Sequence, residues 1–525
     1  MSAPRPPFRK AGCIVALLGI DVGSTALKAT LYALDGEKIA GASLEYGTAK
    51  SGGGLAADSL WRALADVVHR LRQTAPTAEI RAAAISSHGE SFVAADRAGR
   101  AIGPFILNTA PIAEGEAAAF ADRFGKAEIF RRTGLPVHSM YTLPKIAWLR
   151  ANQPDIFAAA DRFLCVEDYI LTRLGVGSFI STSLASRIMA LDLESCAWID
   201  DYLAFAGITK AQLATPVASG TPVGRAAPDA CDELGLPHDV EWVIGGHDQA
   251  CCSLGAGGIA EGIAVDGTGT FECVSIPVRD AVPTPAALGC NFPIERHTVA
   301  PLKLTLSYIA GGVALKWFRD VASRHTLELA AARGVDPYEL ILADLPEEPT
   351  DILMFPHLIG TGTPWLDARA RGAVVGIDAG TTYEEFAKAA IEGITLEMGW
   401  NLELQAAIGT VIGRIHAVGG GARSDRWLQM KADIFDREVV AVPGEASCAG
   451  AAMGAGVGIG AFGSHDEAVA AFVREGKVFT PRPHQVAAYR QKAAHYRDMA
   501  GRLYGFVAPI TRSTSDHPLV TPRQV

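Results

Sequence analysis

Two short stretches decide how this chain is read: Ile20-Asp21-Val22-Gly23-Ser24-Thr25-Ala26-Leu27-Lys28 and, far downstream, Val265-Asp266-Gly267-Thr268-Gly269-Thr270-Phe271. Each has an apolar run closed by Asp, a Gly/Ser/Thr turn, and a second apolar run. That is a strand–turn–strand signature. Glycine lets such a turn bring backbone N–H groups close to an anion, and the Ser/Thr hydroxyls add donors. One such turn on each of two domains can clamp successive phosphates of a nucleotide. From the two turns alone, an internal repeat and two unrelated Gly hairpins stand equally.

Outward from these turns, Ile14 to Asp21 and Ala26 to Leu34 read as strands, Ser59 to Thr74 as a helix and Ile80 to Ser86 as a buried strand. Glu128 to Ala159 and Val166 to Leu174 carry helical spacing. The pattern restarts near Gly255-Ala256-Gly257-Gly258, with strands at Ile263 to Asp266 and Phe271 to Ile276. A helix (Tyr383 to Ala407), a strand (Ile412 to Val418), the run Gly419-Gly420-Gly421-Ala422 and a helix (Asp425 to Phe435) follow. Strands alternating with helices predict α/β layers. The expected division is an N-terminal domain over 12–258, a C-terminal domain over 259–505 and a tail over 506–525. The Gly255–Gly262 region is the expected hinge, and the Pro4–Pro7 segment reads as a loose tail.

The 525 residues are 49% hydrophobic and 20% charged, which excludes a mainly disordered chain. Lys and Arg number 47 against 57 Asp and Glu, a net charge of −10. No basic face is built for nucleic acid. Nine cysteines, an odd count without regular spacing, fit reduced thiols in a cytoplasmic protein. The longest early apolar run is strand-length, so neither an export signal nor a membrane span is expected.

Asp248 lies in Gly245-Gly246-His247-Asp248-Gln249, after the apolar Val243-Ile244. A carboxylate at a strand end can face a cleft and take a proton from an attacking hydroxyl. The competing reading is an N-cap for the following helix. Gly419-Gly420-Gly421 sits between strand and helix, a junction that suits a nucleotide wall or plain packing. No G-x-x-x-x-G-K-[ST], H-E-x-x-H or G-x-S-x-G is present. Gly458-x-Gly460-x-x-Gly463 fits the dinucleotide pattern but follows an Ala/Gly helix, so it reads as helix packing. An NAD-dependent dehydrogenase rests on that match alone.

In this order the segments resemble the FGGY carbohydrate kinases, over about Val15 to Tyr504. The most specific part is Gly372-Ala373-Val374-Val375-Gly376-Ile377, then after a gap Glu385-Phe386-Ala387-Lys388-Ala389-Ala390-Ile391-Glu392. Phe355-Pro356-His357, Gly311-Gly312 with Lys316-Trp317, and Gly420-Gly421-Ala422 with Ser424-Asp425 match as well. The resemblance implies a two-domain actin-like, ribonuclease-H-like fold with ATP in the central cleft. It implies Asp21 organising Mg²⁺ through water, Gly23, Ser24, Thr25 and Lys28 as the first phosphate turn, and Thr268 and Gly269 as the second. Gly312, Lys316, Gly421, Ala422 and Asp425 would line the nucleotide, with Asp248 as general base. His88, Glu90, Gln249 and Phe271 would meet the acceptor. Asn108-Thr109-Ala110-Pro111 departs from the Trp-Asn-Asp-x-Arg of xylulokinases.

Two carboxylates, Glu90 and Asp248, facing the acceptor would repel an acidic ligand and suit hydroxyls. The expected activity is therefore ATP-dependent phosphorylation of a primary hydroxyl on a small neutral sugar or polyol. A catalytically silent sugar- and nucleotide-binding regulator of the same fold is the alternative. The partners expected are the small-molecule substrate and a second copy in a homodimer.

Overall fold

The computed structural model describes residues 14–46 and 54–507. The Pro4–Pro7 tail and residues 508–525 of the expected C-terminal tail lie outside them. Two large sheets organise the chain. The first runs, in spatial order, Pro222–Arg225, Glu241–His247, Ala78–Ser87, Ile14–Val22, Ala26–Ala33, Lys38–Glu45. The second runs Ile294–Arg296, Lys303–Ile309, Glu272–Val278, Gly262–Thr268, Ile412–Gly419, Glu438–Ala441, Val478–Phe479.

The two share one plan. A first strand makes an antiparallel meander with the next two, and two later strands add in parallel on its other side. The Asp21 and Asp266 turns close the first hairpin of each copy, so the repeat holds at the level of topology. The architecture is the two-lobed α/β, actin-like fold. The first sheet ends at His247 and the second starts at Gly262. A domain division at 258/259, which lies in that connection, is proposed.

Strand Ile14–Val22 is apolar on both faces because both are covered. Ala16, Leu18 and Ile20 join Leu60, Trp61, Leu64 and Val68 of helix Ala57–Thr74. Leu17 joins Ala82, Ala84 and Val243 against helix Ala446–Gly458. In the second sheet Ala264, Val274 and Ile415 pack on helices Tyr383–Ala407 and Asp425–Phe435. The other face, through Val265 and Val418, meets Cys252 of helix Asp248–Gly255.

The small-residue helix Ala446–Gly458 crosses back to the first sheet by backbone contact. A Cβ on Gly19 would lie 1.9 Å from the Cys448 carbonyl oxygen, and one on Gly450 would lie 1.9 Å from that of Cys251. Gly458 packs likewise against Gly220, 2.5 Å from a built Cβ to its oxygen. The dinucleotide-like pattern is therefore packing.

Periodicity overran at Glu128 to Ala159, which is three helices: Lys126–Thr133, Thr142–Asn152 and Pro154–Ala159. Gly134, at φ +72°, stops the first, and Pro154 opens the third. A four-stranded sheet of two- to four-residue strands (Gly54–Leu55, Phe105–Ile106, Phe92–Ala95, Arg162–Cys165) is too short for any periodic signal. No helix among the described residues is long and apolar enough to cross a membrane.

Candidate active site

Three parallel strands of the first sheet end side by side. Asp21 pairs in register with Ser86, and Ser86 with Gly246. Their ends bring together Asp21, the Ser86–Glu90 segment and His247-Asp248. A Cβ on Gly245 would lie 1.9 Å from the Ile85 carbonyl oxygen, so glycine lets the strand reach this position. Helix Asp248–Gly255 starts at Asp248 itself, and no side chain caps it. The N-cap reading fails: the Asp248 carboxylate sits 3.2 Å from His247 Nε2 and is 24% exposed. A helix N-terminus favours that negative charge. Burial first, then the charges of Glu90 and Glu295, hold Asp248 above the usual carboxylate range, against the pull of His247.

Asp21 accepts a hydrogen bond from Ser86 Oγ at 2.8 Å. Burial and the neighbouring Asp248 push it up to about 7. A half-buried carboxylate beside a second one is the environment in which a cation is favoured. Among the described residues no group of three His, Cys, Asp or Glu side chains is assembled to hold a metal. The donor set therefore suits a hydrated Mg²⁺ shared with phosphates, not an all-protein cage.

The first turn is tight. Gly23 N–H donates to Ala26 O at 2.9 Å and Tyr46 OH donates to Gly23 O. Ser24 is half-buried and Thr25 exposed. Lys28 lies across the hairpin from Asp21 and pairs with Glu445 at 2.7 Å, tying this turn to the crossing helix.

The second turn collects the residues expected to line the nucleotide. Thr268 Oγ1 accepts from buried Lys431 at 3.0 Å. A Cβ on Gly312 would lie 1.9 Å from Gly269 O, and one on Gly421 2.6 Å from Thr268 Cγ2. Gly420 N–H donates to Thr268 O at 3.1 Å. The three glycine segments thus form one backbone-to-backbone assembly, with Ala422 in the short turn Gly421–Arg423. Lys316 is exposed on helix Gly311–Trp317. Asp425 opens helix Asp425–Phe435 and pairs with Lys477 at 2.6 Å.

The two lobes meet around helix Asp248–Gly255. Gln249 Oε1 comes within 4.0 Å of a Cβ built on Gly267. Cys252 senses both sides: burial, then the charges of Asp248 and Asp21, with Asp266 adding, push its thiol up to about 12. Phe271 stands 39% exposed at the tip of the second hairpin.

On the acceptor side, His88 Nδ1 is 2.9 Å from the Val22 carbonyl. A carbonyl only accepts, so Nδ1 carries the proton. Burial holds the ring below its ordinary value, hence neutral, and Nε2 is an acceptor without a partner in the protein. Glu90 is not a free carboxylate. It takes Arg187 Nε at 2.7 Å, and although burial opposes it, Arg187 and His247 hold the acid below its usual range.

Arg187, from the turn Ser186–Ile188, also faces Glu295 at 3.2 Å, and Glu295 takes His247 Nδ1 at 2.8 Å. Arg187, Glu295 and His247 escaped the sequence reading. His247 adjoins Asp248 and was within reach of it, whereas Arg187 and Glu295 stand on remote segments with no motif. Beside them, Lys145 Nζ donates to Glu90 O at 2.9 Å and Leu107 O at 3.0 Å, and burial pushes it down to about 7.

Comparison with known proteins agrees with this fold. Residues 16–255 match the N-terminal domain, and 267–459 the C-terminal domain, of the FGGY family of carbohydrate kinases. The chain belongs to this family. Carbohydrate kinases of this kind transfer phosphate from ATP, so the chain is an ATP-dependent carbohydrate kinase. It is 28% identical to a gluconokinase of Bacillus subtilis over 450 residues, covering 83% of this chain and 86% of the relative. It is 26% identical to a xylulose kinase of the same organism over 495 residues, covering 92% and 96%. Its fold superposes on a ligand-bound xylulose kinase of Lactobacillus acidophilus with a TM-score of 0.84 at 23% identity, covering 94% of this chain and 99% of that one.

Proposed function

We propose that the protein phosphorylates a primary hydroxyl of a small neutral sugar or polyol, with Asp248 as the general base. The observation that carries this reading is the partly open Asp248 carboxylate at a strand end, near Asp21 of the first hairpin and on the helix whose Gln249 and Cys252 approach Gly267 of the second. The acceptor oxygen attacks the γ-phosphorus of ATP, the bond from that phosphorus to the bridging oxygen breaks, and the hydroxyl proton passes to Asp248. The backbone N–H groups of Ser24 and Thr25 and the hydroxyls of Ser24, Thr25 and Thr268 bind the phosphates, while the Gly23 and Gly269 N–H groups brace their own turns on Ala26 O and Phe271 O. Asp21 would hold Mg²⁺ through water, where the ion offsets phosphate charge. Most of the acceleration comes from positioning and electrostatics.

The neutral acceptor no longer rests on two free carboxylates, because Arg187 offsets Glu90. Two other features support it. The cations at this end of the strands already have partners: Arg187 with Glu90 and Glu295, His247 with Glu295 and Asp248, Lys145 with two carbonyls, Lys28 with Glu445. Among the buried polar atoms here without a hydrogen bond, His88 Nε2 and Asn108 Oδ1 accept, Ser87 Oγ and Tyr141 OH both donate and accept, and Arg187 Nη1 donates but faces Glu295, a mixed set that suits sugar hydroxyls. The gluconokinase relative favours a second reading, an aldonate acceptor.

A coupled ADP assay over alditols, ketopentoses, ketohexoses and gluconate decides. Turnover of neutral acceptors is expected, and turnover of gluconate alone overturns the neutral reading. Asp248→Asn is expected to lower kcat by about 10²- to 10⁴-fold while calorimetric ATP affinity stays within a few-fold. Near-normal kcat in that variant removes Asp248 from the base role. Absence of ADP release with every acceptor of the panel would support the silent regulator instead.

A further inference from the structure

We infer that His247 is a positioning residue for Asp248, clamped from the opposite lobe by Glu295. This rests on the reading of Asp248 as the base. His247 is buried at 4% exposure, and its two ring nitrogens point to two carboxylates: Nδ1 is 2.8 Å from Glu295 Oε1 and Nε2 is 3.2 Å from Asp248 Oδ1. The Nδ1 contact is a hydrogen bond and the Nε2 contact a close ion-pair approach, so the ring lies between two acids that both favour its imidazolium form. Burial alone would discharge it, but Glu295 and Asp248 together push it up to about 8.

Glu295 lies on the edge strand Ile294–Arg296 of the second sheet, and that strand is docked on the first lobe. Ile294 N–H donates to Gly134 O at 2.7 Å, and Arg296 N–H to Ser186 Oγ at 3.4 Å. His247 is held from its own lobe as well, through its N–H to Ser183 Oγ at 3.1 Å. The clamp therefore spans both lobes and is complete only when they are packed together.

The consequence for the base is geometric and electrostatic. His247 faces Oδ1 of Asp248 at 3.2 Å, and the carboxylate stays partly open for the acceptor proton. The charged and titratable groups facing this pair are Glu295 and Arg187 around His247, and Glu90, His88 and Asp21 around Asp248. His88 is neutral and Arg187 is shared between Glu90 and Glu295, so the His247 charge is what keeps the Asp248 carboxylate ionised and aimed. Replacing the ring by an amide of similar reach keeps a polar donor beside Asp248 and removes the charge.

The test uses the full chain, ATP and the best acceptor of the panel above, with kcat, both KM values and pH profiles from 5 to 9 for the wild type, His247→Gln, Glu295→Gln and Asp248→Asn. His247→Gln is expected to lose about 10- to 100-fold in kcat with KM values within about threefold, and to move the acid limb of kcat/KM to higher pH. Glu295→Gln, which lets the imidazolium discharge earlier, is expected to move the alkaline limb to lower pH. Wild-type kcat and limbs in His247→Gln, or a loss confined to KM, overturns the inference. Should that variant not fold, an unmoved alkaline limb in Glu295→Gln overturns it equally. Nitrogen NMR of labelled histidine supplies a readout apart from activity: both His247 nitrogens protonated at pH 7 in the wild type, one only in Glu295→Gln. An active Asp248→Asn sinks the base assignment; an inactive one beside a normal His247→Gln sinks this inference alone.

Discussion

Lys431 offers the sharpest perturbation, because its substitution by methionine keeps length and roughly keeps volume while deleting one charge. Its Nζ, wholly buried, lies 2.5 Å from Asp266 Oδ2, 3.1 Å from Glu272 Oε1 and 3.0 Å from Thr268 Oγ1. Lys431→Met leaves two buried carboxylates facing each other without a cation. Breaking a buried pair on one side costs about 3–5 kcal/mol. At about 2–4 °C per kcal/mol for a lobe-sized unit, Tm should fall by about 6–20 °C.

The pH dependence carries a sign. In the wild type, burial foremost raises Glu272 from its ordinary 4.5 to about 7, with Lys431 opposing and Asp266 adding. A carboxyl group raised in the folded state contributes stability that is full below 4.5 and lost as pH rises through about 7. Without Lys431 the folded-state value climbs further, so the variant should lose more Tm at pH 8 than at pH 5.5. Scanning fluorimetry at the two pH values reads this, and Lys431→Met/Glu272→Gln should recover part of the loss. A Tm within about 2 °C of wild type at both pH values, or an equal fall at both, would refute the reasoning. Lys431 also donates to Thr268 Oγ1, which turns the Thr268 hydroxyl proton outward, so ATP KM should rise in the variant.

Two further substitutions probe the assembly. Gly312→Ala places a Cβ 1.9 Å from Gly269 O, and overpacking of about 1–3 kcal/mol should raise ATP KM about 5- to 150-fold with the acceptor KM little changed; an unchanged ATP KM in steady-state kinetics counts against a shared nucleotide wall. Arg187→Met unpairs Glu90, whose lowered value in the wild type contributes stability present above about 4.5 and lost as pH falls below it. Its Tm deficit, read by thermal melts, should be large at pH 7 and small at pH 4, and a pH-independent deficit would show that Glu90 does not depend on Arg187.

The residues proposed to bind phosphate were legible because they sit in local patterns. A strand closed by Asp and a Gly/Ser/Thr turn needs no partner elsewhere to be seen, and both copies are where the sequence puts them. Helices Tyr383–Ala407 and Asp425–Phe435 match the sequence expectation to the residue, and in the structure the side chains of Thr382 and Ser424 cap their first turns. Glu90 was found but misjudged: nothing in Ser86–Glu90 announces that an arginine from the turn Ser186–Ile188 will neutralise it.

By itself, then, the sequence determined the α/β layering, two Gly/Thr hairpins and the position of Asp248 at a strand end, because strand periodicity and turn chemistry act over a few residues, while the resemblance supplied the two-domain fold and the strand order made the hairpins a repeat. Only the tertiary structure decided the charge around the acceptor. The Glu90–Arg187–Glu295–His247 chain joins four segments distant in sequence and two lobes, and Coulomb forces in a buried site depend on separation in space, which no local pattern records.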